Sequence, residues 1–353
     1  MSSVTINSIT VKLLIFVIGV VAAIPIEDTL IHKDYFQDRL IVYQSEHDIV
    51  NILVPTNSIN FDDKDEMNNI DDYHKKLVIF FVEADIKNGE RIDKGLFVLK
   101  NGNVSKLLDN GRDAAASADD SQNVFFGTEN GIYIYNNLRI KAEAYGNVTD
   151  NVISIVKENG TDAIYYLNKD NELFKVTEKG NKVIKINEVV DAQEMVLDMK
   201  NNLYYITKDK EIFVYNNSSI KKIEGFPEKA EYFKLIKPPT MIKDSALVLC
   251  DNQFYWIYSN GTCEKTRFQI ETDARPTAYA MEAGIFQFYS YNKKIYRYNI
   301  IEQQKEPLKE LGYWNGEEPS KEVYRCLFPK FKTLRKLEYY LVDGSDNRAT
   351  VLN

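Results

Sequence analysis

Nine residues, Glu129–Asn137 (ENGIYIYNN), recur in near-copies along the chain. Ile and Tyr fill the centre of this stretch and turn-forming residues flank it, which is typical of a β-strand between two tight turns. The further copies are KGLFVLKNG from Lys94, NELFKVTEKG from Asn171, KEIFVYNNS from Lys210, NQFYWIYSNG from Asn252 and KKIYRYNI from Lys293, with a weaker relative, DRLIVYQSE, from Asp38. The pattern predicts a repetitive all-β protein.

The copies recur with a nearly constant period. The equivalent positions are Leu96, Ile132, Leu173, Ile212, Phe254 and Ile295, and the spacings between them are 36, 41, 39, 42 and 41 residues. An aromatic residue follows each of these positions. A fixed period near 40 residues is typical of arrays, solenoids and propellers.

A second apolar run precedes each copy. These runs are Leu77–Phe81, Asn123–Gly127, Ala163–Leu167, Leu203–Thr207, Leu247–Cys250 and Gly284–Phe288, and a seventh is Leu337–Val342. They do not alternate between apolar and polar residues, which indicates strands buried on both faces. Sheets stacked face to face around an axis satisfy this requirement. A linear solenoid would need polar capping repeats, and the sequence has none. We therefore predict a β-propeller of four-stranded blades in which each copy is the third strand.

The two ends of the chain are expected to complete one blade together. The hairpin predicted at Asp38–Val54 comes first, whereas partner strands for it come last in the sequence. Pairing them would close the ring without free sheet edges. Counting units from Ile59–Asp63 to Tyr324–Phe328 gives seven blades, and six remains the alternative.

The N-terminus resembles a secretion signal. Lys12 precedes an apolar run, Leu13–Ala23, of the length expected for a signal-peptide core. We predict a signal peptide over residues 1–23, a single propeller domain over residues 24–353, and a secreted protein with no membrane segment after cleavage. The alternative, a membrane anchor, would need about 20 apolar residues.

Potential glycosylation sites agree with export. Asn-x-Ser/Thr sequons, each at a predicted turn, begin at Asn103, Asn147, Asn159, Asn216, Asn217 and Asn260.

Three cysteines leave an odd thiol: Cys250, Cys263 and Cys326. Cys250 and Cys263 fall at opposite ends of a predicted meander, which disfavours a bond between them. Cys326 is expected to pair with one of the two.

Composition removes several classes of function. The formal net charge of −8 argues against binding to nucleic acid or to an anionic membrane. The three histidines all precede residue 75, and the chain has no His or Cys cluster for zinc and no Gly-rich phosphate loop. The remaining catalytic option is a set of carboxylates with an oxygen-bound cation.

One set of carboxylates recurs just before the predicted inner strands. Asp113, Asp150, Asp191 and Asp273 belong to loops that would ring the mouth of a propeller channel. Together they could hold Ca²⁺. The alternative is that each Asp only caps its own turn.

The same loops carry candidates for binding an organic ligand. Arg112 and Arg275 flank two of the Asp residues, and Tyr232, Tyr313 and Trp314 lie on or near later loops. Aromatic faces and Arg donors suit a flat molecule with a carboxylate. The alternative for the aromatic residues is a place in the core between blades.

Most of the chain after the predicted signal peptide resembles a known family. The runs NSINFDDKD, KLVIFFVEAD, GLFVLKNGNVSKLLD, ADDSQNVFFGTENGIYIYN and TDAIYYLNKDNELFKV are similar to the ommochrome-binding proteins of insect haemolymph. The resemblance implies a secreted carrier of pigments derived from tryptophan metabolism. We therefore expect a non-catalytic carrier of a small aromatic molecule. The alternatives are a calcium-dependent lactonase or esterase, and an extracellular propeller that binds other proteins.

Overall fold

The computed structural model describes residues 29–55, 77–88, 90–117, 123–216, 219–237, 244–282 and 286–299. The predicted signal peptide lies outside these residues. The described part contains 25 β-strands and short 3₁₀ helices at Lys33–Tyr35, Asp38–Leu40 and Thr272–Ala274. Within it, no helix has the length and apolar character needed to cross a membrane.

The strands form six sheets. The chain begins with β1 (Thr29–Ile31) and β2 (Ile41–Gln44), and blade 1 follows with β3 (Asp48–Leu53), β4 (Val78–Lys87), β5 (Glu90–Lys100) and β6 (Asn103–Leu108). Blade 2 contains β7 (Gly111–Ala116), β8 (Val124–Thr128), β9 (Gly131–Asn136) and β10 (Lys141–Ala144). Blade 3 contains β11 (Val152–Lys157), β12 (Ile164–Asn168), β13 (Leu173–Thr177) and β14 (Lys182–Lys185).

The remaining sheets follow the same plan. Blade 4 contains β15 (Ala192–Leu197), β16 (Leu203–Thr207), β17 (Ile212–Asn216) and β18 (Ser219–Lys222). Blade 5 contains β19 (Phe233–Ile236), β20 (Ser245–Cys250), β21 (Gln253–Tyr258) and β22 (Cys263–Ile270), with β1 added in parallel beside β22. Blade 6 contains β23 (Ala278–Glu282), β24 (Phe286–Tyr291) and β25 (Lys294–Asn299), and β2 is its fourth strand.

These sheets form a β-propeller, as the repeat predicted. The six copies of the repeat are the third strands β5, β9, β13, β17, β21 and β25, and the apolar runs before them are the second strands. The second strands β8 and β12 are buried along their whole length, which explains why they do not alternate. Six blades are described. The segments 300–353 and 59–63, on which the count of seven rested, lie outside the described residues.

The closure of the ring differs in detail from the sequence prediction. Asp38–Val54 is not one hairpin, because β2 pairs with β25 of blade 6 and β3 pairs with β4 of blade 1. Accordingly, DRLIVYQSE is a fourth strand rather than a third, and β3 takes the inner position that was predicted for Ile59–Asp63. Two apolar runs joined by a turn resemble a hairpin in the sequence, but here the two runs belong to different sheets. An N-terminal strand does complete the last described blade, as predicted.

Aromatic residues fill the space within and between the blades. On neighbouring second and third strands, Phe97 stacks on Phe81 with ring centroids 5.4 Å apart, and Phe174 stacks on Tyr166 at 5.1 Å. Such pairs on one face stabilise adjacent strands. Apolar clusters then join one blade to the next; one of them brings Phe80 of blade 1 against Phe126 of blade 2. The core is therefore a ring around the channel.

Candidate functional site

The inner strands of the blades surround a central channel that contains a cavity of about 70 Å³. Blades 5 and 6 supply most of its wall, and blades 1 to 4 supply single polar or short apolar segments. The polar lining residues are Asn51, Asp113, Ser154, Glu194, Lys234, Lys237 and Thr277. The apolar side includes Leu249, Phe254, Pro276, Tyr279 and Tyr289. The cavity therefore has a charged wall and an aromatic wall.

Two lysines of blade 5 dominate the charged wall. Lys234 lies on β19, and its Nζ is 2.6 Å from Oε1 of Glu194 on the neighbouring inner strand β15. The backbone N–H of Leu235 donates to the other oxygen of Glu194 at 3.2 Å. Burial lowers the pKa of the Lys234 ammonium, but Glu194, Tyr232 and Asp113 together raise it by more, so the net shift is upward. Lys234 is therefore protonated at neutral pH.

The second lysine crosses the channel. Lys237 directly follows β19, and its Nζ lies 2.9 Å from Oδ1 of Asp113 on β7 and also donates to the carbonyl of Ala114. Asp113 accepts further hydrogen bonds from its own blade and from both neighbouring blades. The donors are the Asn51 side chain, the Ala114 N–H at 2.8 Å, the Ser154 hydroxyl at 3.2 Å and the Ile155 N–H at 2.8 Å. Asp113 therefore connects four inner strands through one buried carboxylate.

The aromatic wall lies at the junction of blades 5 and 6. Phe254 comes from blade 5, and Tyr279 and Tyr289 come from blade 6. The rings of Tyr279 and Tyr289 are 4.8 Å apart between centroids. Burial raises the pKa of Tyr289 well above the usual tyrosine value, so its hydroxyl stays neutral. These three side chains are nearly buried in the core between blades 5 and 6, and their accessible parts line the cavity beside the lysines.

Arg275 and Tyr232 lie at the mouth of the channel, which is the end where the inner strands begin. The guanidinium of Arg275 is 4.5 Å from the centroid of the Tyr232 ring, a cation–π contact. Its Nη2 donates to Oδ1 of Asn252 at 2.6 Å. Its Nε has no hydrogen-bond partner among the described residues. Because Tyr232 precedes Lys234 by two residues and Arg275 precedes Pro276, this pair adjoins the cavity. The structure thus brings together two of the predicted ligand residues.

A second cavity of about 100 Å³ lies toward the opposite end of the channel. The two cavities share Ile52, Val196 and Lys237 in their walls. Lys237, held by Asp113, therefore separates them. Lys157 and Asp198 also line the second cavity. The carboxylate of Asp198 accepts hydrogen bonds from Lys200, Asn202 and Tyr204, so it serves the turn in which it lies.

Arg112, a predicted ligand residue, lines neither of the two cavities. Its Nε donates to Oδ2 of Asp93 at 2.7 Å, and its Nη1 donates to Asn151. Asp93 belongs to blade 1 and Asn151 precedes blade 3, whereas Arg112 lies on β7 of blade 2. Arg112 therefore ties three blades together.

The remaining predicted aspartates are dispersed. Asp150 accepts a hydrogen bond from the Tyr166 hydroxyl. Asp191 is exposed and has a positive φ of 54°. Asp273 lies in a 3₁₀ helix, and its backbone carbonyl accepts a hydrogen bond from the Tyr291 hydroxyl. Over the described residues, no group of three or more His, Cys, Asp or Glu side chains is placed to hold a metal ion. The calcium hypothesis thus has no donor set in this part of the chain.

The other predicted sites divide into described and undescribed residues. Tyr313, Trp314, Cys326 and Asn217 lie outside the described residues. Cys250 is buried and Cys263 is half-buried, and both are free thiols. Among the sequons, Asn103, Asn147, Asn216 and Asn260 are exposed. Asn159 is half-buried at the second cavity, where its Nδ2 faces the carbonyls of Asp198 and Met199 at 3.5 and 3.4 Å.

Sequence reasoning missed the three charged residues that define the cavity: Glu194, Lys234 and Lys237. The signal was present, because each interrupts or ends an otherwise apolar inner strand, as in FKLIK from Phe233. A charge at such a position needs a partner across the channel. Only the ring geometry shows which partner each one has.

No family model matches the sequence, and no curated protein matches it. Three of the solved structures that match have TM-scores below 0.5. A provisionally assigned gluconolactonase has a TM-score of 0.47 at 6% identity, over 73% of this chain and 90% of its own. The hydrazine synthase of Kuenenia stuttgartiensis has a TM-score of 0.46 at 9% identity, over 83% of this chain and 86% of its own. The WD40 β-propeller domain of Doa1 has a TM-score of 0.44 at 8% identity, over 73% and 96%. The likeness concerns the propeller fold alone.

Proposed function

We propose that this protein is an extracellular, non-catalytic carrier of a small aromatic acid, which binds at the mouth of the central channel. The observation that carries this proposal is the pairing of two walls in one cavity. Lys234 and Lys237 supply cationic donors to the cavity, and Phe254, Tyr279 and Tyr289 supply aromatic surface to the same cavity. An apolar pocket with a few convergent polar groups is the usual form of a small-molecule site.

The size of the cavity sets the position of the ligand. Its volume of about 70 Å³ is roughly half of the 150 Å³ that an engineered apolar cavity offers to benzene. The acidic group would therefore enter the cavity, and the ring system would lie at the mouth against Arg275 and Tyr232. An ommochrome pigment, which the sequence resemblance implies, is one ligand of this class. The apolar run Leu13–Ala23 and the exposed sequons support export.

Titration calorimetry with xanthurenic acid, a hydroxyquinoline carboxylate, tests the proposal on the full secreted chain. We expect saturable binding, weakened roughly twofold to thirtyfold in Arg275→Ala, because Arg275 would contact the ring system and a cation–π contact contributes roughly 0.5–2 kcal/mol. Arg139→Ala is the matched control, since Arg139 is 72% exposed and pairs with Glu143 on the outer strand. Thermal unfolding of both variants should match that of the wild type.

The spectrum of protein purified from its native fluid is a second readout. A co-purifying chromophore in the visible range would support the carrier. Absence of binding by xanthurenic acid, together with a colourless native protein, would overturn the proposal. Calcium-dependent hydrolysis of a lactone or ester would also overturn it, and would favour the hydrolase alternative.

A further inference from the structure

Resting on the proposed function, a charge count within the cavity defines the ligand more closely. Lys234, Lys237 and the adjoining Arg275 contribute three positive charges, and Asp113 and Glu194 contribute two negative charges. The four charges that line the cavity cancel, and Arg275 at its mouth gives the site a net charge of +1. A ligand group with one negative charge would neutralise it, whereas a dianion would leave one charge uncompensated in a partly desolvated space.

The two lysines have donors to spare. An ammonium group has three N–H donors. Lys234 forms one ion pair, with Glu194, and Lys237 bonds to Asp113 and to the Ala114 carbonyl. The side chains of Lys234 and Lys237 remain 36% and 25% exposed, and both line the cavity. The unused donors are therefore accessible to a ligand oxygen without breaking either ion pair.

The two carboxylates differ in how replaceable they are. Asp113 accepts bonds from several inner strands, so its charge is fixed by the architecture of the ring. Among the described residues, Glu194 bonds to Lys234 and to the Leu235 N–H, and its side chain is 26% exposed. Glu194 can therefore be changed to Gln with little change of shape and with its contact to Leu235 retained.

We propose that Glu194 is the residue that makes the channel selective for monoanionic carboxylates over dianionic phosphates. Its carboxylate offsets one of the three cations, and this leaves room for a single ligand charge beside Lys234 and Lys237. Replacing Glu194 by Gln raises the net charge of the site from +1 to +2. The preference should then move toward a dianion.

Three ligands with one ring system and different charges test this proposal: 1-naphthoate, 1-naphthyl phosphate and 1-naphthalenemethanol. Calorimetric titration at pH 7.5 gives the dissociation constant of each for wild type and Glu194→Gln. For the wild type we expect 1-naphthoate to bind most tightly. In Glu194→Gln, the ratio of the phosphate and carboxylate dissociation constants should shift by about tenfold or more toward phosphate. Glu188→Gln, on the loop before β15, is the control and should leave the ratio unchanged.

The outcomes separate this inference from the proposed function. If none of the three ligands binds the wild type, the carrier proposal itself fails. If 1-naphthoate binds but the phosphate binds equally well, or if Glu194→Gln leaves the ratio unchanged, the role of Glu194 is refuted and the carrier proposal stands. If Glu194→Gln fails to fold, Glu194→Asp, which keeps the charge, must fold and retain the wild-type preference; loss of that preference would also refute the role.

Discussion

The ammonium of Lys237 lies 2.9 Å from Oδ1 of Asp113, although the two residues are 124 positions apart in the chain. One belongs to blade 5 and the other to blade 2, so the ion pair crosses the channel. It divides the channel into two cavities and joins opposite sides of the ring. Asp113 was a candidate calcium ligand in the sequence, but its contacts make it a structural acceptor.

Asp113→Asn should destabilise the protein by about 1.5–3 kcal/mol, because it removes the charged partner of the partly exposed Lys237 ammonium and weakens the bonds that this buried side chain accepts. Urea denaturation followed by circular dichroism would measure this loss. Asp191→Asn is the control, and since Asp191 is exposed it should change stability by less than about 0.5 kcal/mol. The double variant Asp113→Asn with Lys237→Met should recover part of the loss. If Asp113→Asn and Asp191→Asn lowered stability equally, the structural role of Asp113 would be contradicted.

The ring closure should depend on Tyr35, which stacks on Tyr298 of blade 6 with ring centroids 4.3 Å apart. Its carbonyl accepts the Tyr298 hydroxyl at 2.6 Å. Tyr35→Ala removes a buried aromatic ring, and we expect a cost of about 3–5 kcal/mol. Tyr298→Phe removes only the hydrogen bond and should cost about 1 kcal/mol.

Limited proteolysis would locate the effect of Tyr35→Ala. Cleavage near residues 32–40 should accelerate first, because this segment links β1 on blade 5 to β2 on blade 6. Wild-type rates of cleavage in this segment would show that β1 and β2 hold the closure without the aromatic contact.

Stability should fall in acid through Glu158, whose Oε1 lies 2.8 Å from Nζ of Lys175. Burial raises the pKa of Glu158, but hydrogen bonds from Lys175, Thr161 and Tyr165, together with the Lys175 charge, lower it by more. Because the folded-state pKa lies below the unfolded value of about 4.3, the contribution is fully present above that value. It is lost as the pH falls through the folded-state pKa.

Glu158→Gln therefore should lower the melting temperature at pH 7 and have a much smaller effect at pH 3. Melting curves of wild type and variant between these values measure the difference. Glu143→Gln, at an exposed ion pair with Arg139, is the control and should show a small, nearly constant difference. A difference for Glu158→Gln that does not shrink in acid would exclude the carboxylate as its source.

Arg112→Ala should reduce stability and leave ligand binding unchanged. Arg112 is only 19% exposed and bonds to Asp93 and Asn151 of the adjacent blades. Loss of these charged hydrogen bonds should cost about 1.5–3 kcal/mol. Denaturation and calorimetric titration of the same sample would check both parts. A tenfold weaker affinity would restore Arg112 to the ligand site that the sequence suggested.

The sequence predicted the repeated parts of the molecule well. The period near 40 residues, the aromatic residue in each copy and the apolar second strands identified the propeller, the second strands and the third strands. These features are local, since a strand with two buried faces needs the same composition wherever it stands in the ring. The sequence also placed Arg275 and Tyr232 near one end of the channel, because both lie before predicted inner strands.

Only the tertiary structure decided what happens where distant segments meet. The run Asp38–Val54 has the pattern of a hairpin, yet its two strands belong to blades 6 and 1, because closing the ring requires a partner for β25. Similarly, the sequence does not show what each periodic Asp does: Asp113 pairs with Lys237, whereas Asp191 faces solvent. The partner of Arg112, which is Asp93 of another blade, could not be read from the sequence either. The surroundings of these charges come from strands of other blades, far away in the chain. Whether a segment forms a strand depends on its own residues, but the partner of a buried charge depends on how the blades are arranged around the ring.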